Sequence, residues 1–496
     1  MMYQSTRDAS HKKYTAAEVI KMGLAPDGGL FIPESIPALT ADEISALCAD
    51  SYPVRAAKIL GKFLSDYTYD ELLADCTAAY AETSFPGGAA PLVHVHDNVY
   101  SLELWHGPTA AFKDMALQIM PRLLSRALVK TGETRNALIL VATSGDTGKA
   151  ALEGYKDIDR IRIMVFYPVD GVSRVQKLQM ATQSGSNVNV MAIRGNFDDA
   201  QTGVKNIFGD KEMAAALNAE GYVLSSANSI NWGRLAPQIV YYVSAYCDLL
   251  SRGDIKMGDM IDVCVPTGNF GNIFAAYIAK LMGLPIRKFI CASNKNNILT
   301  DFLSTGTYDR NRPFHLTMSP SMDILISSNL ERLLCLSSNE ETTAAYMASL
   351  KETGAYTVSD EVKATIAENF LGYFADEETT AATIRKYFDE YGYLADTHTA
   401  VALASAAQYL AGSDAVTPMV VASTASPYKF AADVFTSLTA GKTQPSDPLA
   451  ALDELKAMTS TEIPYPLRGL GERQVNFTDV IDACDMPVSV LAYCKK

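Results

Sequence analysis

One lysine stands in a setting that suits covalent chemistry. The segment His106-Gly107-Pro108-Thr109-Ala110-Ala111-Phe112-Lys113-Asp114 places Lys113 just after a Gly-Pro turn, at the start of a helical pattern. The dipole of a helix disfavours an ammonium group at the helix N-terminus. A lysine held there is a candidate to form a Schiff base, in which its charge is shared with a bound aldehyde. Lysines also occur in first turns without a chemical role, so this segment alone leaves both interpretations open.

Two glycine loops each follow an apolar segment and precede a helical pattern. The first is Ser144-Gly145-Asp146-Thr147-Gly148, and the second is Thr267-Gly268-Asn269-Phe270-Gly271-Asn272. Glycines let the backbone approach an anion, and the following helix offers free N–H groups and a positive dipole end. Neither loop has the G-x-G-x-x-G or G-x-x-x-x-G-K-[ST] pattern, which argues against a dinucleotide or a nucleoside triphosphate. Either loop alone could also be an ordinary turn between a strand and a helix.

Taken together, the lysine segment and the two loops resemble those of threonine synthases, which are pyridoxal-phosphate enzymes of fold type II. Further matching segments lie at residues 3–7, 23–33, 226–234 and 423–427, in the expected order along the chain. The length and the N-terminal segment resemble the longer bacterial and fungal subfamily. The chain departs from the commonest pattern at Ser426, where histidine is usual, and at Tyr428, where a small residue is usual. The wall of the pocket is expected to differ there.

The resemblance implies a site for pyridoxal 5'-phosphate. Lys113 would hold the cofactor as an aldimine and would be the catalytic base and acid. Asp146 would lie near the ring hydroxyl, Thr424 would hydrogen-bond the pyridine nitrogen, and the second glycine loop would cradle the phosphate. The implied cofactor-binding residues are Lys113, Phe112, Asp146, Gly268, Asn269, Phe270, Gly271, Asn272 and Thr424. Phe112 could equally be an ordinary core residue.

The substrate of this family is O-phosphohomoserine, which carries a carboxylate, an amine and a γ-phosphate. By resemblance, the carboxylate would bind on the first glycine loop, and the γ-phosphate would take a bidentate contact from Arg234. The implied substrate-binding residues are Ser144, Thr147, Gly148, Asn228, Ser229, Asn231 and Arg234. Those from Asn228 onward could alternatively form a turn between a strand and a helix, in which their polar groups hydrogen-bond to the protein itself. His398 also matches a position of the family pattern, although a histidine before an apolar helix is often a structural cap.

The implied reaction is β,γ-elimination of phosphate from O-phosphohomoserine, followed by addition of water at the β-carbon to give L-threonine. Two alternatives remain open. One is a pyridoxal-phosphate-dependent phospholyase that releases a keto acid, and the other is a non-catalytic phosphometabolite-binding protein that keeps the loops. Production of threonine would distinguish the synthase from the phospholyase. The retained lysine argues against a binding protein.

Composition indicates which binding partners and which cellular compartment to expect. The chain has 496 residues, and its 42 basic and 56 acidic residues give a net charge of -14. An acidic balance argues against nucleic acid, since phosphate backbones require a basic face. The eight cysteines show no metal-binding spacing and are expected to be reduced thiols. We expect a cytoplasmic monomer or weak dimer without a targeting peptide or a membrane span.

Strand and helix patterns alternate from about residue 96, which predicts an α/β fold of doubly wound, mostly parallel sheets in two domains. Strands are predicted at 137–143, 161–167, 188–194, 222–226, 261–265 and 286–292, and helices at 234–251 and 273–282. Pro121 should kink or break the helical pattern from Met115 to Leu128. The predicted parts are an N-terminal subdomain (1–95), a smaller domain carrying the lysine (96–225) and a larger domain (226–496). The larger domain would include a helical insertion at about 307–395, with a long helical stretch at 359–386, and a C-terminal tail from 441.

Overall fold

The computed structural model describes residues 1–143, 145–170, 172–413 and 416–495. Its strands form two mostly parallel sheets and two short antiparallel pairs. The strands are β1 Tyr3–Ser5, β2 Phe31–Pro33, β3 Leu92–His96, β4 Val99–Glu103, β5 Asn136–Ala142, β6 Ile161–Pro168, β7 Val188–Arg194, β8 Tyr222–Ser225, β9 Ile261–Pro266, β10 Ile286–Ser293, β11 Thr307–Asp309, β12 Ala355–Thr357, β13 Phe370–Phe374, β14 Met419–Ser423 and β15 Val480–Asp482.

Helices cover both faces of the two large sheets. Three of the four helices before residue 80 start with capping boxes, in which Thr15, Thr40 and Thr68 each bond a glutamate three residues later. The helices are α1 Ala16–Met22, α2 Ala41–Cys48, α3 Tyr52–Phe63, α4 Tyr69–Ala79, α5 Asp114–Leu117, α6 Met120–Lys130, α7 Asp146–Tyr155, α8 Arg174–Ala181, α9 Phe197–Gly209, α10 Lys211–Ala219, α11 Trp232–Arg252, α12 Gly271–Leu281, α13 Ile298–Thr305, α14 Leu330–Ser337, α15 Glu340–Thr353, α16 Asp360–Ala367, α17 Glu377–Tyr391, α18 Thr397–Leu410, α19 Ala431–Leu438, α20 Ala450–Thr459 and α21 Met486–Cys494. Short 3-10 turns lie at Pro320–Met322, Pro427–Phe430, Tyr465–Leu467, Leu470–Glu472 and Ala483–Asp485.

The two large sheets have different strand orders. The five-stranded sheet runs β15-β7-β6-β5-β8 and is parallel throughout. The six-stranded sheet runs β13-β10-β9-β14-β4-β3 and is parallel except for the β3–β4 pair. The predicted doubly wound, mostly parallel α/β architecture is therefore confirmed. The six predicted strands agree with the structure to within a residue at each end.

Helix α11 packs against α2, α3, α5 and α12, so it connects the N-terminal subdomain with the core. The predicted break near Pro121 is also confirmed. Helix α5 ends at Leu117 and α6 starts at Met120, with Pro121 in its first turn, where its missing N–H would lack an acceptor in any case.

The prediction of a helical insertion at 307–395 is wrong in part. This region contains the β11–β12 hairpin, and the stretch 359–386 is divided by strand β13. The sequence of β13, Phe-Leu-Gly-Tyr-Phe, favours a strand because aromatic residues pack well on a pleated surface. Gly372 lets this strand lie against α13, since a Cβ there would come within 2.7 Å of Thr300 Cα.

The tail from residue 441 is more structured than a linker. Strand β15 pairs with β7, and α21 packs beneath α9 and α10 on the five-stranded sheet. The division into 1–95, 96–225 and 226–496 stays a prediction. Strand pairing adds that β4 joins the sheet of the later strands, and that β15 joins the sheet of the middle segment.

No helix in the described part of the chain combines the length and the apolar character that a bilayer crossing requires. Within the same residues, histidine, cysteine and acidic side chains form no cluster suited to a metal ion. All eight cysteines carry free thiols.

Candidate active site

The segment before α5 is folded so that Lys113 is held in place. The carboxylate of Asp114 accepts hydrogen bonds from the backbone N–H of Thr109 at 2.8 Å and from its hydroxyl at 2.6 Å. Gly107 is required there, because a Cβ would lie 2.6 Å from that carboxylate. The N–H of Phe112 donates to the carbonyl of Thr424 at 2.8 Å. The lysine segment is therefore fixed to the strand end that carries Thr424.

Lys113 lies in a buried network of polar groups. Its Nζ donates to Ser321 Oγ at 3.2 Å and lies 3.5 Å from Asp146 Oδ2. The other oxygen of Asp146 accepts from Lys429 Nζ at 3.0 Å and from Gln176 Nε2 at 2.7 Å. The network thus joins residues from the first glycine loop, the lysine segment and three more distant parts of the chain.

Burial and neighbouring charges set the ionisation of this network. Burial lowers the pKa of Lys113, as do the positive charges of Lys429 and Arg234, whereas Asp146 raises it. Burial alone would raise the pKa of Asp146, but the ammonium groups of Lys429 and Lys113 hold it well below its ordinary value. Asp146 is therefore a carboxylate, and the Lys113 amine loses its proton more readily than a solvated lysine. Both properties suit an amine that must react with an aldehyde and carry protons.

The second glycine loop forms a cradle for an anion. Phe270 adopts a left-handed conformation (φ 60°), which turns the chain into α12 at Gly271. Within the described residues, the backbone N–H groups of 268–272 have no acceptor. The carbonyl of Asn269 is held instead, by the N–H and Nδ2 of Asn329 at 3.0 and 2.8 Å. Unpaired N–H groups at a helix start fit a phosphate.

Two further details of this loop favour an anion over a plain turn. The Nδ2 of Asn272 is buried and finds no hydrogen-bond partner in the described part of the chain, while its Oδ1 accepts from Tyr242. A Cβ at Gly268 would lie 2.8 Å from the carbonyl oxygen of Ser321, so the loop packs tightly against the residue that touches Lys113. The residues that the sequence implied for a cofactor phosphate thus lie beside the lysine, and they fit that group.

The other predicted cofactor residues also lie near the lysine. The Phe112 ring centroid is 5.7 Å from Lys113 Nζ. Thr424 is buried, and its hydroxyl has no partner among the described residues, which leaves it free to bond a ring nitrogen. The roles of Phe112 and Thr424 toward the cofactor stay predictions.

The first glycine loop offers less backbone to a substrate than predicted. Gly145 needs its glycine, since its φ is +144°. The hydroxyl of Thr143 accepts the N–H groups of Gly145 at 2.9 Å and Gly148 at 3.0 Å, so the Gly148 N–H is already paired. Thr147 is half-buried. The predicted Ser144 lies outside the described residues.

The start of α11 divides the predicted phosphate-binding residues into two kinds. The side chain of Asn231 caps the helix by accepting from Gly233 N–H at 2.9 Å, and it donates to the carbonyl of Ile20 at 2.9 Å. Both of its polar side-chain atoms thus have protein partners, which agrees with the interpretation of this segment as a structural turn. Asn228 is exposed and Ser229 is half-buried, so both can be reached by a ligand.

Arg234 differs from Asn231 because the described residues do not provide partners for all of its polar atoms. It is 4% exposed, and its Nη1 donates to the carbonyl of Ala227 at 2.7 Å. Its Nε is buried and has no hydrogen-bond partner among the residues that the structure describes, and the same holds for the hydroxyl of Tyr155. Burial lowers the pKa of Arg234 to about 10. A buried guanidinium without a carboxylate partner fits an anionic ligand.

Lys429 and Ser321 were not identified from the sequence. Lys429 is fully buried, and its Nζ also donates to the carbonyl of Thr109 at 2.9 Å. Only its position, shortly after Thr424 in a mostly apolar stretch, could have pointed to it. Ser321 lies in a 3-10 turn with no local pattern, so nothing in the sequence could have identified it.

His398 acts through Ser321 and does not contact the lysine directly. Its Nε2 accepts from the backbone N–H of Ser321 at 3.1 Å, and its Nδ1 donates to Asp396 at 2.8 Å. This fixes the turn that carries the Ser321 hydroxyl. The structure also explains one departure from the family pattern, since the Tyr428 hydroxyl bonds the carbonyl of Thr461 at 2.9 Å. Tyr428 thereby anchors the segment after α20.

Comparison with sequence families finds three matches along the chain. "Threonine synthase N terminus" matches residues 2–80. "Pyridoxal-phosphate dependent enzyme" matches residues 84–423, and "Threonine synthase, C-terminal" matches residues 399–483.

Individual proteins agree with these families. Threonine synthase of Pseudomonas aeruginosa is 38% identical over 87% of this chain and 89% of its own length. Threonine synthase-like 1 of Homo sapiens is 42% identical over 85% of this chain, which spans only 58% of the human protein.

Two solved structures have the same overall fold. The pyridoxal-phosphate-bound threonine synthase from Brucella melitensis superposes with a TM-score of 0.88 at 36% identity, over the whole of both chains. Threonine synthase from yeast superposes with a TM-score of 0.90 at 32% identity, over 100% of this chain and 98% of the yeast chain.

Proposed function

Because the chain belongs to the threonine synthase family of pyridoxal-phosphate-dependent enzymes, we propose that it converts O-phosphohomoserine and water to L-threonine and phosphate. One observation carries the proposal most directly: Ser321 contacts both the Lys113 amine and Gly268 of the unpaired N–H cradle. A reactive amine and a phosphate site thus meet at one residue. This is the arrangement that a phosphorylated aldehyde cofactor requires.

Pyridoxal phosphate, when bound, supplies an aldehyde for the lysine and an electron sink that makes carbon-bound protons acidic. In our proposal, residues 268–272 hold its phosphate through backbone N–H groups, and Thr424 faces its ring nitrogen. Asp146, Lys429 and Gln176 keep the negative charge beside the lysine fixed in position.

The amine of Lys113 would move the proton at the α-carbon of the substrate and then the proton at the β-carbon. Its lowered pKa supports this role, because a general base works best when its pKa lies near the working pH. The hydroxyl of Ser321, 3.2 Å from the amine, would keep Nζ aimed at the substrate between these transfers.

Arg234 would hold the γ-phosphate that leaves from the substrate. Its Nε and the Tyr155 hydroxyl support this assignment, since both are buried polar atoms that lack a hydrogen-bond partner among the described residues. Asn228, Ser229 and Thr147 remain proposed substrate contacts. Asn231 would act by fixing the start of the helix that presents Arg234.

We further propose a cytoplasmic monomer or weak dimer that does not act on nucleic acid. The net charge of -14 supports the last point, because binding to a phosphate backbone requires clustered basic residues. The eight free thiols support a reducing compartment.

The test is to incubate the purified holoenzyme with O-phosphohomoserine and to measure threonine, 2-oxobutanoate and inorganic phosphate together. We expect threonine and phosphate in equal amounts. A keto acid with phosphate but without threonine would identify a phospholyase, and no product at all would leave a binding protein. Lys113→Ala should abolish turnover, whereas the exposed Lys211→Ala serves as the matched control.

A further inference from the structure

A cavity of about 330 Å³ lies between the N-terminal segment, the β11–β12 hairpin and α15. Its walls are mostly apolar and include Leu330, Met347 and Leu350. Tyr308 and Tyr356, which also line it, stack with their ring centroids 5.4 Å apart. A volume of this size falls at the lower end of the range for small-molecule sites. The lysine and arginine of the candidate active site, Lys113 and Arg234, are not among the lining residues.

The charged residues of the cavity do not balance one another. Arg7 pairs with Glu331 through two hydrogen bonds of 2.8 and 2.7 Å, and Glu331 also accepts from Thr6. Both oxygens of Glu331 therefore already accept hydrogen bonds. Arg310 and Lys351 also line the cavity, and their side chains make no hydrogen bond or ion pair with any described residue. Among the lining residues this leaves an excess of two positive charges, on a chain with a net charge of -14.

The cavity is connected to the cofactor loop by hydrogen bonds. Ser327 lines it, and the Ser327 hydroxyl donates to the carbonyl of Gly268 at 2.7 Å. Two residues later, Asn329 donates twice to the carbonyl of Asn269. Movement of the segment 327–329 would therefore shift the cradle that is proposed to hold the cofactor phosphate.

We propose that this cavity binds a small carboxylate with an apolar body, and that its occupancy is coupled to the cofactor loop. The apolar walls take the body, while the fork of Arg310 and the ammonium of Lys351 take the carboxylate. Any effect of the ligand on cofactor affinity must be matched by an equal effect of the cofactor on ligand affinity.

The test measures binding to the holoenzyme by titration calorimetry. The probes are 4-methylpentanoate, its uncharged analogue 4-methylpentanol, acetate and phenyl phosphate. We expect 4-methylpentanoate to bind at least about tenfold more tightly than each of the other three, since a charge-assisted pair and a buried apolar body each contribute about that much. Equal or tighter binding of acetate, of the alcohol or of phenyl phosphate would overturn the proposed ligand class.

Variants locate the site. Arg310→Leu and Lys351→Met should each weaken the binding of 4-methylpentanoate by about tenfold, while Lys211→Met, at an exposed position on α10, should not. Met347→Trp should block binding by filling the cavity. Because this variant does not alter the charge of the protein, it separates loss of the cavity from an effect of surface charge. Binding that persists in Arg310→Leu but is lost in Arg234→Met would belong to the catalytic pocket and would overturn the proposal.

Coupling is read from the cofactor itself. The dissociation constant of pyridoxal phosphate, followed by absorbance, should change at least about threefold when 4-methylpentanoate is saturating. The change should become smaller in Ser327→Ala, which removes the hydrogen bond to Gly268 but keeps the two bonds from Asn329 to Asn269. An unchanged constant in the parent protein would overturn the coupling, whether or not the enzyme makes threonine.

Discussion

Replacement of Arg234 by methionine should make the cofactor-free protein more stable while impairing its use of the phosphorylated substrate. Arg234 is 4% exposed, and within the described residues its guanidinium makes one hydrogen bond, to Ala227, and has no carboxylate partner. Methionine has a similar length and can occupy the same space without a charge. The two expected effects therefore have opposite signs, which a purely structural arginine would not show.

The magnitude of the stability effect follows from the pKa. Burial lowers the pKa of Arg234 from 12.5 to about 10. At about 1.4 kcal/mol for each pKa unit, the charged guanidinium raises the free energy of the folded state by roughly 3 kcal/mol. Loss of the hydrogen bond to Ala227 offsets about 1–2 kcal/mol of that penalty. We therefore expect Arg234→Met to raise the free energy of unfolding by about 1–2 kcal/mol.

The functional effect is larger and opposite. Charge-assisted hydrogen bonds contribute about 1.5–3 kcal/mol, so kcat/KM for O-phosphohomoserine should fall by roughly tenfold to more than a hundredfold. Arg234→Lys should restore part of this loss, since an ammonium keeps the charge but lacks the planar fork. The cofactor spectrum should change little, because the cofactor phosphate is assigned to a different loop.

Unfolding in urea, followed by tryptophan fluorescence, measures the first effect. The chain has two tryptophans, and Trp232 lies on the same helix as Arg234, so the probe reports on the relevant part of the structure. A lower urea midpoint in Arg234→Met would refute the argument that the arginine destabilises the fold. An unchanged kcat/KM would refute its assignment to the γ-phosphate.

Three further changes test the rest of the site. Lys113→Ala should prevent borohydride-stable attachment of the cofactor, and mass spectrometry that found the label on another lysine would contradict the assignment. Gly271→Val should weaken cofactor binding by about tenfold or more, because even a Cβ there would lie 3.3 Å from Asn329 Nδ2; a lower melting temperature with unchanged cofactor affinity would instead indicate a plain turn. Burial raises the pKa of Asp114 from its ordinary 3.8 to about 6. The protonated carboxyl of Asp114 therefore stabilises the fold at pH 4, and up to about 3 kcal/mol of this stability is lost as the pH rises through 6. The urea midpoint of Asp114→Asn should accordingly rise relative to that of the parent protein between pH 4 and pH 7. Parallel pH profiles of the two proteins would contradict this.

Six strands of the two large sheets, β5 to β10, could be predicted because their physical requirements are local. Buried parallel strands need nearly continuous apolar runs, and β5, β6 and β9 are such runs bounded by polar turns. The break before Pro121 was equally local, since a proline lacks the N–H that a helix interior uses. The motif around Lys113 is also local, and the reactive role that it predicts for this amine stays a prediction.

The partners of that amine could not be predicted, because they depend on tertiary contacts. Lys429 lies 283 positions after Asp146 in the chain and Ser321 lies 175 positions after it, and neither stands in a pattern that points to the lysine. The dual role of the Asn231 side chain depends on Ile20, in the N-terminal subdomain. Strand β13 was missed because its polar helical flanks concealed a five-residue aromatic segment.

The late return of the chain to the five-stranded sheet has a consequence for biosynthesis. Strands β5 to β8 leave the ribosome long before residues 480–494, yet these last residues pair with β7 and bury Met486 and Val490 against the same sheet. During that interval β7 is an open edge, with unpaired backbone groups beside uncovered apolar side chains. Such edges are where nascent chains associate with one another. We therefore expect translation arrest before residue 480 to yield an aggregation-prone intermediate. In the complete chain, the late segment would act as an intramolecular chaperone by covering this edge.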